Sequence, residues 1–114
     1  MSQPIILYTN PMSRGRIIRW MLEELGLAYE TKIIDYAKDM KSAEYLAINP
    51  MGKVPALQHG TTIITETPAL CAYLAETFKE KGLAPSNDAE RGAFYRWLFF
   101  AAGPLEQAIG LKML

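Results

Sequence analysis

The chain has 114 residues, enough for one small domain with its own core, or for one domain and a fragment of a second. Its 12 basic residues balance its 12 acidic ones, so the composition favours neither nucleic acid nor an acidic membrane as a partner, and we expect no signal peptide or membrane span. A single cysteine, Cys71, excludes an internal disulfide and a thiolate metal cluster and fits a cytoplasmic location, while a single histidine, His59, argues against a histidine-based metal site.

The first third of the chain predicts a strand, a helix and a second strand. The apolar run Ile5–Tyr8 is typical of a buried strand, and a turn at Pro11–Gly15 leads out of it. Apolar residues then recur at i, i+3, i+4 and i+7, the spacing of one helix face: Ile18, Met21, Leu22 and Leu25. Gly26 is a natural helix stop, and Tyr29–Ile34 is the second predicted strand.

The middle of the chain predicts a helix followed by two strands. Residues Ala37–Ala47 carry a weaker helical pattern. Val54–Leu57 and Thr62–Thr65 then flank Gln58–Gly60, which we expect to form a hairpin turn. The pattern therefore predicts an antiparallel pair of strands here.

Two more helices are predicted in the last part of the chain. One runs from Pro68 to Lys79, with Thr67 as its N-cap. Residues 82–86 have the composition of a linker. Asn87 and Glu90 then have capping-box spacing for a helix that is apolar on nearly all sides.

These elements predict an α/β domain of βαβαββα order over residues 1–81, with a four-stranded mixed sheet, and the start of an all-helical domain over 87–114. The first two strands should be parallel and the last two should form a hairpin. The final helix should be buried on several sides, and Gly103-Pro104 should kink or end it. Because nothing in the chain covers its aromatic residues, we expect a truncated chain or association with another copy.

One proline lies in an unusual place. Pro55 follows Val54 within a stretch that otherwise has a strand pattern, and proline cannot donate to a sheet ladder, so it marks an edge, a strand start or a bulge. The next strand ends in Glu66 and Thr67 at the start of a helix, where an anion is favoured. A strand edge beside a helix N-terminus suits an extended, anionic peptide.

Three motifs in this order resemble those of the glutathione transferases, in particular the bacterial-type members. Asn49–Leu57 closely resembles the family signature NPxGKVPxL. Glu66–Leu70 resembles the start of the helix that follows this signature in family members. Leu7–Arg16 looks like the first strand and active-site turn, and the resemblance continues through Asn87–Trp97. It implies a thioredoxin-like N-terminal domain followed by the first helix of an all-helical domain, which in the family usually has several more helices.

The resemblance implies a glutathione site on the N-terminal domain. Pro55 is then preceded by a cis peptide bond, and the backbone of Val54 pairs with the cysteinyl backbone of glutathione. Thr67 and the helix start receive the γ-glutamyl carboxylate, Glu66 pairs with the γ-glutamyl ammonium group, and Lys53 reaches or lies beside the glycyl carboxylate. The alternatives are purely structural: a proline at a strand start, an ordinary helix cap and a solvated lysine.

The resemblance also implies a group that stabilises the glutathione thiolate. Ser13, in the turn before the first helix, is the first candidate, although a serine there is equally often an ordinary N-cap. Tyr8, near the end of the first strand, is the second candidate and Asn10 is the third. A free thiol titrates near pH ~8.5, and lowering its pKa by two units requires about 2.7 kcal/mol of stabilisation.

We therefore expect a glutathione transferase that uses glutathione as a co-substrate and conjugates it to a small apolar electrophile, as in detoxification. We also expect a homodimer and no metal. The 114-residue chain itself should be poorly active or inactive. One alternative is a glutathione-dependent thiol oxidoreductase, although the turn after the first strand holds no cysteine. Another is a non-catalytic interaction module, because a fold alone does not define a function.

Overall fold

The structure is a computed structural model and describes residues 3–113. Its first seven elements are β1 (Ile5–Thr9), α1 (Gly15–Leu25), β2 (Glu30–Ile33), α2 (Ala43–Ile48), β3 (Ala56–His59), β4 (Thr62–Thr65) and α3 (Thr67–Thr77). A 3-10 turn (Lys79–Lys81) follows, and then come α4 (Asp88–Phe100), a π-helical turn (Ala101–Leu105) and α5 (Glu106–Met113). The predicted order of strands and helices through α3 is confirmed.

The four strands form one mixed sheet in the order β2-β1-β3-β4. Strand β1 pairs in parallel with β2 and antiparallel with β3, and β4 completes the hairpin with β3. A parallel pair needs a long crossover, which α1 supplies here. The predicted four-stranded mixed sheet is confirmed.

Each face of the sheet is covered, because successive strand residues point to opposite sides. Leu7 lies on the face toward α1 and α3 and meets their fully buried residues: Ile18, Leu22, Leu70 and Leu74. Tyr8 lies on the opposite face and packs with a second buried cluster: Ile34, Met40, Tyr45 and Ala56. Helix α2 therefore lies across the sheet from α1 and α3.

The second helix begins later than predicted. Asp35 accepts the backbone N–H groups of Ala37 at 2.8 Å and Lys38 at 2.9 Å, and residues 36–41 form turns. Ser42 then caps α2 by accepting the N–H group of Tyr45 at 3.2 Å. The predicted start at Ala37 was wrong because short polar side chains satisfy the backbone locally and compete with a helix.

The third strand is also displaced from its predicted position. It begins at Ala56 and not at Val54, because Pro55 has no N–H group to donate to the ladder. It continues to His59, which pairs with Thr62, so the chain reverses after His59 and not at it. The existence of the hairpin is confirmed, while the predicted position of its turn was wrong.

Helix α3 begins one residue before the predicted position. The N–H group of Leu70 donates to the carbonyl of Glu66 at 2.9 Å, so Glu66 occupies the N-cap position and Thr67 is the first helical residue. Thr67 was wrongly predicted as the N-cap. The backbone of Glu66 has a φ of 76°, the left-handed region that residues other than glycine rarely adopt.

The predicted cap of α4 is confirmed, because Asn87 accepts the N–H group of Glu90 at 2.9 Å. The expected kink or end at Gly103-Pro104 takes another form. The helical path continues through the π-helical turn into α5, and this wider turn accommodates a proline that cannot donate a hydrogen bond.

Helix α4 is largely exposed, as expected for a chain in which nothing covers its aromatic residues. None of its residues is buried, and Trp97 and Phe99 are 55% and 59% exposed. The hydroxyl of Tyr95 in α4 donates a hydrogen bond to the carboxylate of Glu76 in α3. The described residues alone therefore do not bury α4 on several sides, and what else would cover it stays a prediction. No helix among the described residues is long and apolar enough to cross a membrane.

Candidate functional site

A cavity of about 130 Å³ lies between the loop before β3 and the start of α3. It is lined by Arg14, Asn49, Lys53, Val54, Pro55, Glu66 and Thr67. The structure thus brings together all five residues predicted to bind a peptide ligand. It does not bring the three thiol-activating candidates into the lining of this cavity.

The loop side of the cavity presents an unpaired backbone edge. The peptide bond between Val54 and Pro55 is cis, and Pro55 is buried. No backbone hydrogen bond joins Val54 to any other residue in the range 3–113. An extended peptide can pair with such an edge as an added strand.

Side chains from the α2 region hold this loop. The carbonyl oxygen of Lys53 accepts hydrogen bonds from the Tyr45 hydroxyl at 2.6 Å and from Asn49 Nδ2 at 2.9 Å. Lys41 Nζ donates to the carbonyl of Gly52 at 2.9 Å. Burial raises the pKa of Tyr45 to about 12, so this hydroxyl remains a donor at neutral pH.

The helix side of the cavity presents an unsatisfied hydroxyl. Thr67 is only 6% exposed, and its Oγ1 has no hydrogen-bond partner among the residues described. A buried polar atom without a partner costs roughly 1–3 kcal/mol, and such an atom at a helix N-terminus is ready to meet an anion. The exposed carboxylate of Glu66 lies beside it at the same cavity.

Two cations line the same cavity, and only one of them was predicted as a site residue. Lys53 is exposed, as the predicted contact with a carboxylate requires. Arg14 also lines the cavity, and its Nε lies 3.0 Å from the carboxylate of Glu106 in α5. The sequence holds no local signal for the Arg14 side chain, because its partner Glu106 lies far away along the chain.

The turn before α1 is closed by its own side chains. Ser13 Oγ donates to the carbonyl of Asn10 at 2.6 Å and accepts the N–H group of Gly15 at 3.0 Å. Asn10 donates through Nδ2 to the carbonyl of Ile34 at 3.0 Å and accepts the N–H group of Met12 at 2.9 Å. The hydroxyl proton of Ser13 and the amide of Asn10 are thus both engaged within the protein.

Tyr8 lies on a different side of the domain. It is buried in the cluster beneath α2, where its hydroxyl donates to Gln58 Oε1 at 3.1 Å. It lines a separate cavity of about 330 Å³ next to Tyr45 and Lys32. Nothing in this arrangement directs the Tyr8 hydroxyl toward the cavity at the start of α3.

The lone cysteine lies apart from the predicted active-site turn. Cys71 is half-buried in α3, and burial raises the pKa of its thiol, which opposes thiolate formation at neutral pH. No group of three or more potential metal ligands occurs among residues 3–113. The arrangement offers binding groups for a peptide and no protein thiolate next to them.

A mixed sheet in the order β2-β1-β3-β4, with helices on both faces and a cis-proline loop beside a helix N-terminus, defines a thioredoxin-like domain. The family model for the N-terminal domain of glutathione S-transferases matches residues 12–77. The chain belongs to the glutathione S-transferase family.

Individual relatives agree with this assignment. Glutathione S-transferase A from Pleuronectes platessa is 39% identical over 83 residues, which are 69% of this chain and 37% of that protein. A glutathione transferase homologue from Sulfitobacter, solved with bound glutathione, matches with a TM-score of 0.79 and 32% identity over 88% of this chain and 49% of that one. A theta-class enzyme from Xanthomonas axonopodis pv. citri, also with glutathione bound, has a TM-score of 0.79 and 31% identity over 89% and 49% of the two chains. The chain thus spans half or less of the length of each of these proteins.

Proposed function

We propose that the cavity at the start of α3 binds glutathione. The observation that carries this proposal is that one cavity joins an unpaired backbone edge at Val54 to a buried, unpartnered hydroxyl at Thr67. The cysteinyl backbone pairs with Val54, and the γ-glutamyl carboxylate meets Thr67 at the helix N-terminus. Glu66 pairs with the ammonium group and Lys53 with the glycyl carboxylate. Solved relatives with bound glutathione support this ligand.

We further propose that the whole protein is a transferase. Ser13 is the favoured activating group, because it lies in the turn directly before α1. For this role, the Ser13 hydroxyl must donate its hydrogen bond to the glutathione sulfur instead of to the carbonyl of Asn10. The N–H group of Arg14 makes no backbone hydrogen bond to any of the residues described, and with the N-terminus of α1 it adds positive potential near the same turn.

The second substrate would be a small apolar electrophile, conjugated in a cytoplasmic detoxification reaction. Exposed aromatic residues of α4, including Trp97 and Phe99, supply apolar surface for that substrate or for a second subunit. A homodimer is therefore part of this proposal. The 114-residue chain, which carries about half the length of its relatives, should bind glutathione and turn over poorly.

One observation favours a second candidate, a non-catalytic glutathione-binding module. The hydroxyl protons of Ser13 and Tyr8 both go to acceptors within the protein, to Asn10 and to Gln58. If neither is released when glutathione binds, the tripeptide is held without thiol activation. The thiol pKa of bound glutathione separates the two candidates.

The binding proposal is tested with two matched hydroxyl deletions and calorimetry. Thr67→Val removes the unpartnered hydroxyl at the cavity, and Thr9→Val removes the other buried hydroxyl that lacks a partner among the described residues. A hydrogen bond to a charged group contributes roughly 1.5–3 kcal/mol, so Thr67→Val should weaken glutathione binding by at least about tenfold. Thr9 does not line the cavity, so Thr9→Val should bind like the wild type. Equal affinities of the two variants, or no binding by the wild type at millimolar glutathione, would refute the proposed site.

A further inference from the structure

Two buried side chains converge on one peptide group at the edge of the cavity. Tyr45 in α2 is 3% exposed and Asn49, just after α2, is 4% exposed. Both donate to the same acceptor, the carbonyl oxygen of Lys53, at 2.6 and 2.9 Å. A backbone carbonyl has two lone pairs, so these two donors saturate it.

Saturating this carbonyl also orients the next amide. The bond between Lys53 and Val54 is trans, since the cis bond of this segment is the one that follows Val54. In a planar trans peptide the C=O and N–H groups point in opposite directions. The N–H group of Val54 therefore points away from Tyr45 and Asn49, and it has no backbone partner within the described part of the chain.

The residues on either side of the peptide group between Lys53 and Val54 are fixed, but they do not fix this peptide group itself. Lys41 fixes the preceding carbonyl, that of Gly52, at 2.9 Å, and Pro55 is buried directly after Val54. The peptide between Lys53 and Val54 can still rotate about its flanking single bonds, and the two side-chain donors oppose that rotation. Hydrogen bonds weaken steeply when misaligned, so the direction of the Val54 N–H decides how well a ligand pairs with it.

We propose that Tyr45 is a positioning residue for the ligand: its hydroxyl, together with Asn49, holds the peptide between Lys53 and Val54 so that the Val54 N–H is presented to an extended peptide. This inference rests on the proposed function in taking that peptide to be glutathione. The Tyr45 hydroxyl itself does not contact the ligand. The Tyr45 hydroxyl increases the fraction of molecules in which the Val54 N–H is oriented to pair with the ligand. The apparent affinity for the ligand is proportional to that fraction.

The matched experiment compares Tyr45→Phe with Tyr73→Phe. Tyr73 also engages its hydroxyl in a short hydrogen bond, 2.7 Å from His59 Nδ1, at a site away from the cavity. Both variants lose one phenolic hydroxyl, so thermal unfolding shows whether they are comparably folded. Calorimetry with glutathione should give a dissociation constant raised about five- to tenfold for Tyr45→Phe and less than twofold for Tyr73→Phe.

A second measurement does not depend on the ligand. In 15N-labelled protein without glutathione, the Val54 amide resonance should move in Tyr45→Phe and stay in place in Tyr73→Phe. If the wild type binds glutathione and both variants bind equally well, the inference is wrong while the proposed function stands. If the wild type fails to bind glutathione, the proposed function is wrong. If the Val54 resonance does not move in Tyr45→Phe, the proposed role of Tyr45 in orienting the peptide between Lys53 and Val54 is wrong as well.

Discussion

Arg14 and Glu106 join the two parts of the chain next to the cavity: Arg14 Nε lies 3.0 Å from Glu106 Oε1. Arg14 belongs to the turn before α1 and lines the proposed glutathione site, whereas Glu106 begins α5. The two side chains are 48% and 42% exposed. An ion pair this exposed contributes at most about 1 kcal/mol to stability, but it neutralises a cation that lines the proposed site for an anionic ligand.

Replacing the acid therefore should affect binding more than folding. We expect Glu106→Gln to change the free energy of unfolding by less than about 1 kcal/mol and to tighten glutathione binding about two- to fivefold at low salt. The gain should shrink at high salt, because the interaction is screened. Glu80→Gln, which removes an acid from the 3-10 turn, is the control and should leave affinity unchanged. Weaker binding by Glu106→Gln would mean that the carboxylate positions Arg14 for the ligand.

Gly15 and Thr9 are in such close contact that any side chain at residue 15 must displace Thr9. A Cβ atom at Gly15 would lie 1.7 Å from Thr9 Oγ1, and Thr9 is 1% exposed. Gly15→Ala should lower the free energy of unfolding by about 2–3 kcal/mol in urea titrations. Gly92→Ala is the matched control, because nothing lies near its Cβ position in α4, and it should stabilise the protein by roughly 0.5–1 kcal/mol. Equal stability of the two variants would contradict the packing described.

Most of the domain could be predicted from sequence, because its signals are local. The apolar spacing of Ile18 and Leu22 and the paired strands of the hairpin need no knowledge of distant residues. The start of α2 was missed because Asp35 folds the preceding segment into turns through its side chain. The apolar pattern of α4 predicts burial on several sides, but burial depends on what packs against a helix, and Trp97 is 55% exposed in this chain.

The residues of the candidate site likewise fall into two groups: those that lie in local sequence motifs and those that depend on contacts between distant parts of the chain. Lys53, Val54 and Pro55 lie in one continuous motif, and Glu66 and Thr67 lie in another, so their proximity at one cavity could be predicted from sequence. Arg14 and Tyr45 were missed as candidates, because they are singled out by contacts that the fold creates, with Glu106 and with the Lys53 carbonyl. The choice between Ser13 and Tyr8 depended on the direction of each hydroxyl, which sequence does not reveal.

Ser13 can be tested for two roles with one substitution. Arg14, and not Ser13, occupies the N-cap position of α1. Ser13→Ala removes the hydroxyl that accepts the N–H group of Gly15, so loss of this contact alone should lower the free energy of unfolding by about 1 kcal/mol. If Ser13 also stabilises the thiolate, the pKa of the bound glutathione thiol should rise by about 1–2 units. The ultraviolet absorbance of the thiolate, followed against pH, measures this shift. Asn87→Ala removes the cap of α4 and should cost similar stability without moving the thiol pKa. An unchanged thiol pKa in Ser13→Ala would leave that serine a purely structural role.

Tyr45 should make stability fall at high pH. Burial raises its pKa from 10.0 to about 12 in the folded state, so the folded protein retains a proton that the unfolded chain has lost. The stabilisation is fully present below about pH 10 and is lost as the pH rises from about 10 to about 12. Tyr45→Phe cannot ionise, so between these values its stability should fall less steeply than that of the wild type, by about 2–3 kcal/mol at most. Urea unfolding at pH 8 and pH ~11.5 measures the difference, and parallel losses in both proteins would show that this hydroxyl ionises as readily in the folded state as in the unfolded one.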